Sequence, residues 1–265
     1  MRQIAIYGKG GIGKSTISAN LAASFAERGL NTWYIGCDPK ADGSMTLLEG
    51  KKIPTFLERM KEGGEDKDYS VAVGFKGVKC VEIGGPLAGV GCAGRGIIVA
   101  VHALYKEFFD DKIDVIIYDV PGDIVCGGFA APLREGFANE VFIVTSGEYL
   151  SLYAANNICR GLCNLGVDLG GIICNSRDVE DEESAVAEFA ERIGSMLVGF
   201  IPRDSIVRNC ENRGRTVIEG APGSEQANRY RKLAGEVLDN GKKRIPTPMD
   251  PEEIRELLRS RAGTV

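Results

Sequence analysis

The chain has a single histidine among 265 residues, no CxxC pair, no extended basic block and no apolar run near the ~18 residues of a membrane span. Each absence narrows the field. Lys and Arg number 32 against 37 Asp and Glu, so the surface is mildly acidic and phosphate-tracking along DNA or RNA is not expected. The opening MRQIAIYGKGG turns glycine-rich before a signal peptide's apolar stretch can develop, so the expectation is a cytoplasmic protein with no membrane partner. Without CxxC, no single continuous motif supplies four ligands to an iron–sulfur cluster. His102, on an expected helix without ligand neighbours, is assigned no role.

What is present is an alternation of strand and helix patterns. Short runs rich in Val and Ile occur at Gln3–Tyr7, Thr32–Cys37, Val78–Glu82, Val115–Tyr118, Val141–Thr145, Gly171–Cys174 and Leu197–Ile201, as in strands buried on both faces. Between them lie helical spacings. In Ser15–Arg28 the residues Ile17, Leu21, Ala22 and Phe25 recur at three- and four-residue steps, and Gly29 follows as a C-terminal cap. The pattern predicts one α/β domain over residues 1–265: a mostly parallel sheet flanked by helices, with ligands at the carboxyl ends of the strands. From Asp250 a short helix with Ile254, Leu257 and Leu258 on one stripe is expected to dock on the body.

The run Gly8-Lys9-Gly10-Gly11-Ile12-Gly13-Lys14-Ser15 fits GxxxxGK[ST], after a strand and opening a helix. Its glycines let backbone N–H groups wrap phosphates, Lys14 reaches β and γ oxygens, and Ser15 ligates Mg²⁺. Lys9 is a second cation for the transferring phosphoryl group. Cys37-Asp38-Pro39-Lys40-Ala41-Asp42 ends the second strand; Asp38 is the candidate for activating water, and the other charges can report the γ-phosphate. Asp119 follows the strand Val115–Tyr118 as a Walker-B-like acid holding Mg²⁺ through water, and Gly122 offers an N–H to the γ-phosphate.

Cys92 and Cys126 are flanked by small residues that allow close backbone approach to a cluster. Two such thiols per chain across a twofold axis would supply four ligands, although a small buried residue explains either cysteine equally well. Cys37, Cys80, Cys159, Cys163, Cys174 and Cys210 read as core thiols.

The pattern KGGIGKS resembles the deviant Walker A P-loop ATPases, in which the lysine corresponding to Lys9 reaches the nucleotide of a second subunit. Taken in order, GKGGIGKST, GCDPKAD, GGPLAGVGCAGRG, YDVPGDIVCGGF, YAANNI, ICNSR and IPRD resemble the nitrogenase iron protein family over residues 1–204. The resemblance implies a homodimer with MgATP in each subunit and one [4Fe–4S] cluster held by Cys92 and Cys126 of both. It further implies ATP-gated electron transfer from a donor such as ferredoxin to a larger heteromeric reductase component. By the same resemblance Lys9, Lys14, Ser15 and Thr16 handle phosphate and magnesium. Asp38, Lys40 and Asp42 form a first switch, and Asp119 to Asp123 a second, with Asp123 among the catalytic residues. Asn175, Pro202, Arg203 and Asp204 hold the adenine, while Arg95 contacts the partner and is a possible ADP-ribosylation site. Pro121, the wording TSGEY at Thr145–Tyr149, the stretch Gly50–Thr55 and a short C-terminus look most like the methanogen homologue serving the Ni-sirohydrochlorin a,c-diamide reductive cyclase of nickel tetrapyrrole coenzyme synthesis. Nitrogenase proper and methylthio-alkane reduction are the neighbouring alternatives. A positioning ATPase of the partition type is the alternative of a different class, since it shares the phosphate loop and Lys9 but needs neither cysteine.

Overall fold

The computed structural model describes residues 1–62, 71–85, 93–109, 112–122, 131–134 and 136–261. Among these, strands β1 (Arg2–Tyr7), β2 (Thr32–Gly36), β3 (Ala72–Val73), β4 (Lys79–Glu82), β5 (Val115–Asp119), β6 (Glu140–Thr145), β7 (Leu169–Asn175) and β8 (Leu197–Ile201) form one sheet. Its order is β3-β4-β2-β5-β1-β6-β7-β8. Every neighbouring pair is parallel except β3 with β4.

The helices are α1 (Lys14–Glu27), α2 (Phe56–Glu62), α3 (Ala93–Glu107), α4 (Ala131–Arg134), α5 (Tyr149–Leu165), α6 (Glu182–Arg192), α7 (Ser205–Glu211), α8 (Val217–Gly220), α9 (Glu225–Asp239) and α10 (Pro251–Arg259). They divide between the two faces, which is why the central strands are apolar at successive positions rather than alternate ones. Ile4 and Ile6 pack with α1, α8 and α9, whereas Ala5 and Tyr7 pack with α3, α5, α6 and α10. The expected mostly parallel sheet flanked by helices and the docked terminal helix are both present.

Local chemistry sets the ends of these elements. Helix α1 closes with Gly29 at φ 85°, Leu30 N–H donating to Phe25 O and Gly29 N–H to Ala26 O, the paired bonds of a Schellman cap. Helix α10 buries Ile254 and Leu257 and begins at a proline, with Asp250 N–H donating to the Glu253 carboxylate at 2.7 Å. Just before it, the buried Asn156 carboxamide of α5 donates to Met249 O at 2.7 Å and accepts from Met249 N–H at 2.8 Å. The YAANNI motif thus fastens the last segment to the body.

Strand β3 was not expected from the sequence. It is two residues long and antiparallel, turned back onto β4 by Gly74–Val78, where Gly74 N–H donates to Val78 O at 2.8 Å and Lys76 takes φ 46°. Two residues carry no periodicity to read. Asp119, expected just beyond its strand, is the last residue of β5 itself.

Candidate functional site

Strand β1 has β5 on one side and β6 on the other, so its carboxyl end is where an open α/β sheet forms its crevice. The loop Gly8–Gly13 leaves β1 there and enters α1. Three of its glycines hold positive φ: 146° at Gly8, 75° at Gly11 and 96° at Gly13. Space is as restrictive as conformation. A Cβ on Gly8 would stand 2.2 Å from Val144 O, and one on Gly13 would stand 2.4 Å from Asn175 Nδ2.

The loop's carbonyls are occupied from the side and below. Asn175 Nδ2 donates to Ile12 O at 2.7 Å, Arg177 donates to Gly11 O, and Lys14 Nζ donates to Lys9 O at 3.2 Å. Lys14 is buried, Gly10 and Gly11 are exposed, and a cavity of about 540 Å³ opens beside them. Gly10, Gly11, Gly13, Lys14, Ser15 and Thr16 line it on one side, Asp38, Lys40, Asp42 and Gly43 on another, and Asp119, Pro121 and Gly122 on a third. These groups fit a nucleotide's phosphates with a divalent cation: backbone donors, a buried ammonium, a hydroxyl and a carboxylate converge on one volume.

Asp119 is 4 % exposed. Tyr34 OH donates to its Oδ2 at 2.7 Å and Ser18 Oγ to its Oδ1 at 3.3 Å. Burial pushes its carboxyl up, against the hydrogen bonds from Ser15, Tyr34 and Ser18 and the charge of Lys14, which favour the carboxylate. A bound cation would add to the second group and favour the ionised form. On the opposite wall Asp38 Oδ1 accepts from Lys40 N–H at 2.9 Å, and Ala41 takes φ 52°, so the CDPKAD run is a tight turn carrying three charges at the cavity.

Lys9 does not line this cavity. It borders a neighbouring cleft of about 290 Å³ with Glu148, Ser151, Arg177 and Arg203. Arg203 also lies 4.0 Å from Asp178, and Pro202 O accepts from Gln226 Nε2 at 3.1 Å. Asp204 caps α7 by accepting from Ile206 N–H at 2.8 Å, and Asn175 serves the phosphate loop as above. Of the expected adenine group, therefore, Arg203 faces the cleft, while Asn175, Pro202 and Asp204 have structural partners of their own.

Several groups at the site gave no signal in the sequence. Glu211, at the end of α7, lines the cavity and accepts from Thr16 Oγ1 at 2.7 Å. Met45 and Thr46 line it too. Tyr34 and Ser18 orient Asp119, and Glu82 lies buried on β4, with β2 between it and β5. The motif spacing pointed to none of them; the one hint was that Glu82, like Asp119, closes a run read as a strand.

Cys92, Cys126 and Asp123 lie outside the described residues. Arg95 falls in the first turn of α3, and its side chain is likewise outside them. Among the described residues no group of three or more His, Cys, Asp or Glu is placed to hold a metal. Cys37, Cys80, Cys159, Cys174 and Cys210 are buried thiols; burial raises each, that of Cys159 to about 12, so none is an available thiolate. Cys163 corrects the expectation of a core thiol: it is exposed, lying in the last turn of α5 where Asn164 and Gly166 are exposed as well. His102 stands edge-on to Phe137 at 4.9 Å in the packing of α3. No helix among the described residues is long and apolar enough to cross a membrane.

Solved structures that share this fold include a MinD protein and a ParA family ATPase. The septum site-determining protein MinD complexed with Mg-ADP from Pyrococcus horikoshii superposes with a TM-score of 0.75 at 23% identity, covering 90% of this chain and 96% of that one. A ParA family ATPase from Chlorobium tepidum gives 0.68 at 22% identity, covering 88% and 97%. At such identities the likeness is one of fold, that of the deviant P-loop NTPases. Sequence relatives are much nearer. "Nitrogenase iron protein 2" of Methanothermobacter thermautotrophicus is 56% identical over 98% of both chains, and "Nitrogenase iron protein" of Methanospirillum hungatei is 50% identical over 100% of this chain and 98% of its own. Residues 2–263 match the family described as "4Fe-4S iron sulfur cluster binding proteins, NifH/frxC family", whose members hold a [4Fe–4S] cluster between two subunits and use MgATP. With the fold, the phosphate loop and these matches in agreement, the chain belongs to the NifH/frxC family of 4Fe–4S cluster binding proteins.

Proposed function

We propose that two copies of this chain form a MgATP-driven electron donor to a larger heteromeric reductase component, the Ni-sirohydrochlorin a,c-diamide reductive cyclase of nickel tetrapyrrole coenzyme synthesis. A low-potential protein such as ferredoxin recharges it. The observation that carries the gating is Asp119: a buried carboxylate held by Tyr34 and Ser18 against the nucleotide cavity, seven positions before Cys126 in the same continuous run. Cys92 and Cys126 of both subunits are the ligands of the cluster, which supplies the one-electron couple when bound.

The chain's own residues divide the nucleotide work. Backbone N–H groups of Gly10 to Lys14 and the Lys14 ammonium bind the phosphates; Ser15 and Asp119 hold the cation, Asp119 through water. Asp38 orients the attacking water from the facing wall, and Lys9, turned to the adjacent cleft, acts from one subunit on the nucleotide of the other. Asp123 and Gly122 complete the second switch. Asn175 and the segment Pro202, Arg203 and Asp204 take the base side of the nucleotide, and Arg95 meets the acceptor.

The choice of acceptor rests on Pro121, on TSGEY at Thr145–Tyr149 and on Gly50–Thr55. Anaerobically purified protein should be brown with roughly four irons per dimer, and Cys92→Ser or Cys126→Ser should remove the colour. MgATP should then support electron transfer to the purified cyclase component and MgADP should not. Unsubstituted protein that is colourless and iron-free after anaerobic purification would sink the reading, and transfer to a nitrogenase component alone would overturn the choice of acceptor.

A further inference from the structure

Glu82 is the last residue of β4 and is 1 % exposed. Strand register puts it in one row with Gly36 of β2 and Asp119 of β5: Gly36 pairs with Glu82 on one side and with Asp119 on the other. The two carboxylates therefore flank one glycine on one end of the sheet. The row requires that glycine, since a Cβ on Gly36 would lie 1.9 Å from Glu82 Oε2.

The segment that follows the CDPKAD turn lies over this row. Ser44 N–H donates to Glu82 Oε1 at 2.7 Å, and the Ser44 hydroxyl also favours the carboxylate. One residue earlier, a Cβ on Gly43 would meet Tyr34 OH at 2.3 Å and Asp119 Oδ2 at 3.0 Å. Glu82 Oε2 has no hydrogen-bond partner among the described residues. The carboxylate is thus fixed to the turn at Ser44 and to little else.

A second contact joins the same two segments. Gly85 lies against the ring of Pro39, so closely that a Cβ there would come 2.7 Å from Pro39 Cβ, and Gly84, at φ 78°, is packed against Thr55. Ser44 and Pro39 thus touch Glu82 and Gly85, and Glu82 precedes Cys92 by only ten positions in the chain.

We infer that Glu82 is a positioning residue that couples the first switch, Asp38 to Ser44, to the run Glu82–Gly85 on the way to Cys92. The route is separate from the one that leads from Asp119 toward Cys126. The physical reason is the cost of an unpaired buried carboxylate. When phosphate at Asp38, Lys40 or Asp42 displaces the turn, either Ser44 leaves Glu82 with neither oxygen paired, or the end of β4 follows Ser44. The second outcome moves the segment that Pro39 also presses. Nucleotide state would then reach both cysteines of a subunit, each along its own strand end. The destination at Cys92 rests on the proposed function; the coupling between the two segments does not.

The test is hydrogen exchange on the dimer, with MgATP against MgADP, followed in peptides covering residues 38–46 and 80–92. In wild-type protein both peptides should respond. In Glu82→Ala the response of 80–92 should fall about fivefold or more while that of 38–46 persists. Ser44→Pro should act alike, because it deletes the N–H at a φ of −83° that proline accepts, after a glycine that tolerates it. Glu82→Gln keeps an acceptor and should keep most of the response, and the double variant should be no worse than either single one. Should Glu82→Ala fail to fold, Ser44→Pro with Glu82→Gln decides the matter. A full 80–92 response in Ser44→Pro would overturn the inference. So would a joint loss in both peptides with weakened MgATP binding, since Glu82 would then shape the nucleotide site itself. The exchange reading needs neither iron nor an acceptor, so iron-free protein would sink the proposed function and leave this result standing.

Discussion

Replacing Glu82 by glutamine preserves its shape and removes a single titration, so the effect on stability can be worked out in advance. Burial, opposed by the Ser44 hydrogen bonds and reinforced by the negative charges of Asp119 and Asp42, raises this carboxyl from 4.5 to about 7. Because the folded value lies above the unfolded one, the folded state holds more protons between them, and stability falls as pH rises through that window. The loss amounts to about 1.4 kcal/mol at pH 5.5 and about 3.3 kcal/mol at pH 8, and glutamine does not suffer it. The gain of Glu82→Gln over wild type should therefore grow by about 2 kcal/mol between pH 5.5 and 8. Trp33, the only tryptophan, is buried and stands edge-on to Phe109 at 5.2 Å, so its fluorescence reports loss of the core. Urea titrations of both proteins at fixed concentration and four pH values give the difference directly, with titrations common to both cancelling. Parallel stability curves for the two proteins across this range would refute the reasoning.

Asn156→Ala should cost about 2 kcal/mol, because it strands the buried Met249 N–H and leaves Met249 O with only its bond from Arg160, and an unchanged thermal midpoint would contradict that. Gly13→Ala should weaken ATP binding about tenfold or more, since a left-handed φ and the clash with Asn175 Nδ2 act together; calorimetry on the variant checks it. Cys163→Ser should leave iron content and colour unchanged, as the exposed thiol has no partner role in the cluster reading, and iron loss in that variant would reopen the assignment of ligands.

The parts of the site that sequence made legible share one property: their chemistry is local. Gly8 to Ser15 is a loop whose glycine spacing states its own backbone conformation, and the strands announce themselves because helices on both faces demand unbroken apolar runs. Long-range partners carry no such mark. Thr16 and Glu211 are 195 positions apart, and nothing in either neighbourhood points to the other. Glu82 ends a run read as a strand, and nothing in that run marks it as buried until the sheet order sets β4 beside β2. Asn156 sits in a motif that signals the family, yet its observed work is to hold the C-terminal segment. Among the cysteines, spacing placed Cys163 one turn from a core thiol, and only the packing of α5 shows that this turn ends in solvent.

The clamping of the phosphate loop bears on how nucleotides exchange. With the carbonyls of Lys9, Gly11 and Ile12 engaged by Lys14, Arg177 and Asn175, the loop arrives as a preorganised anion receptor with little rearrangement left for binding. Such a receptor holds the phosphates common to ATP and ADP equally well. Discrimination between the two, and with it the timing of each catalytic cycle, then falls to the opposite wall, where the turn carrying Asp38, Lys40 and Asp42 is free to meet the terminal phosphate.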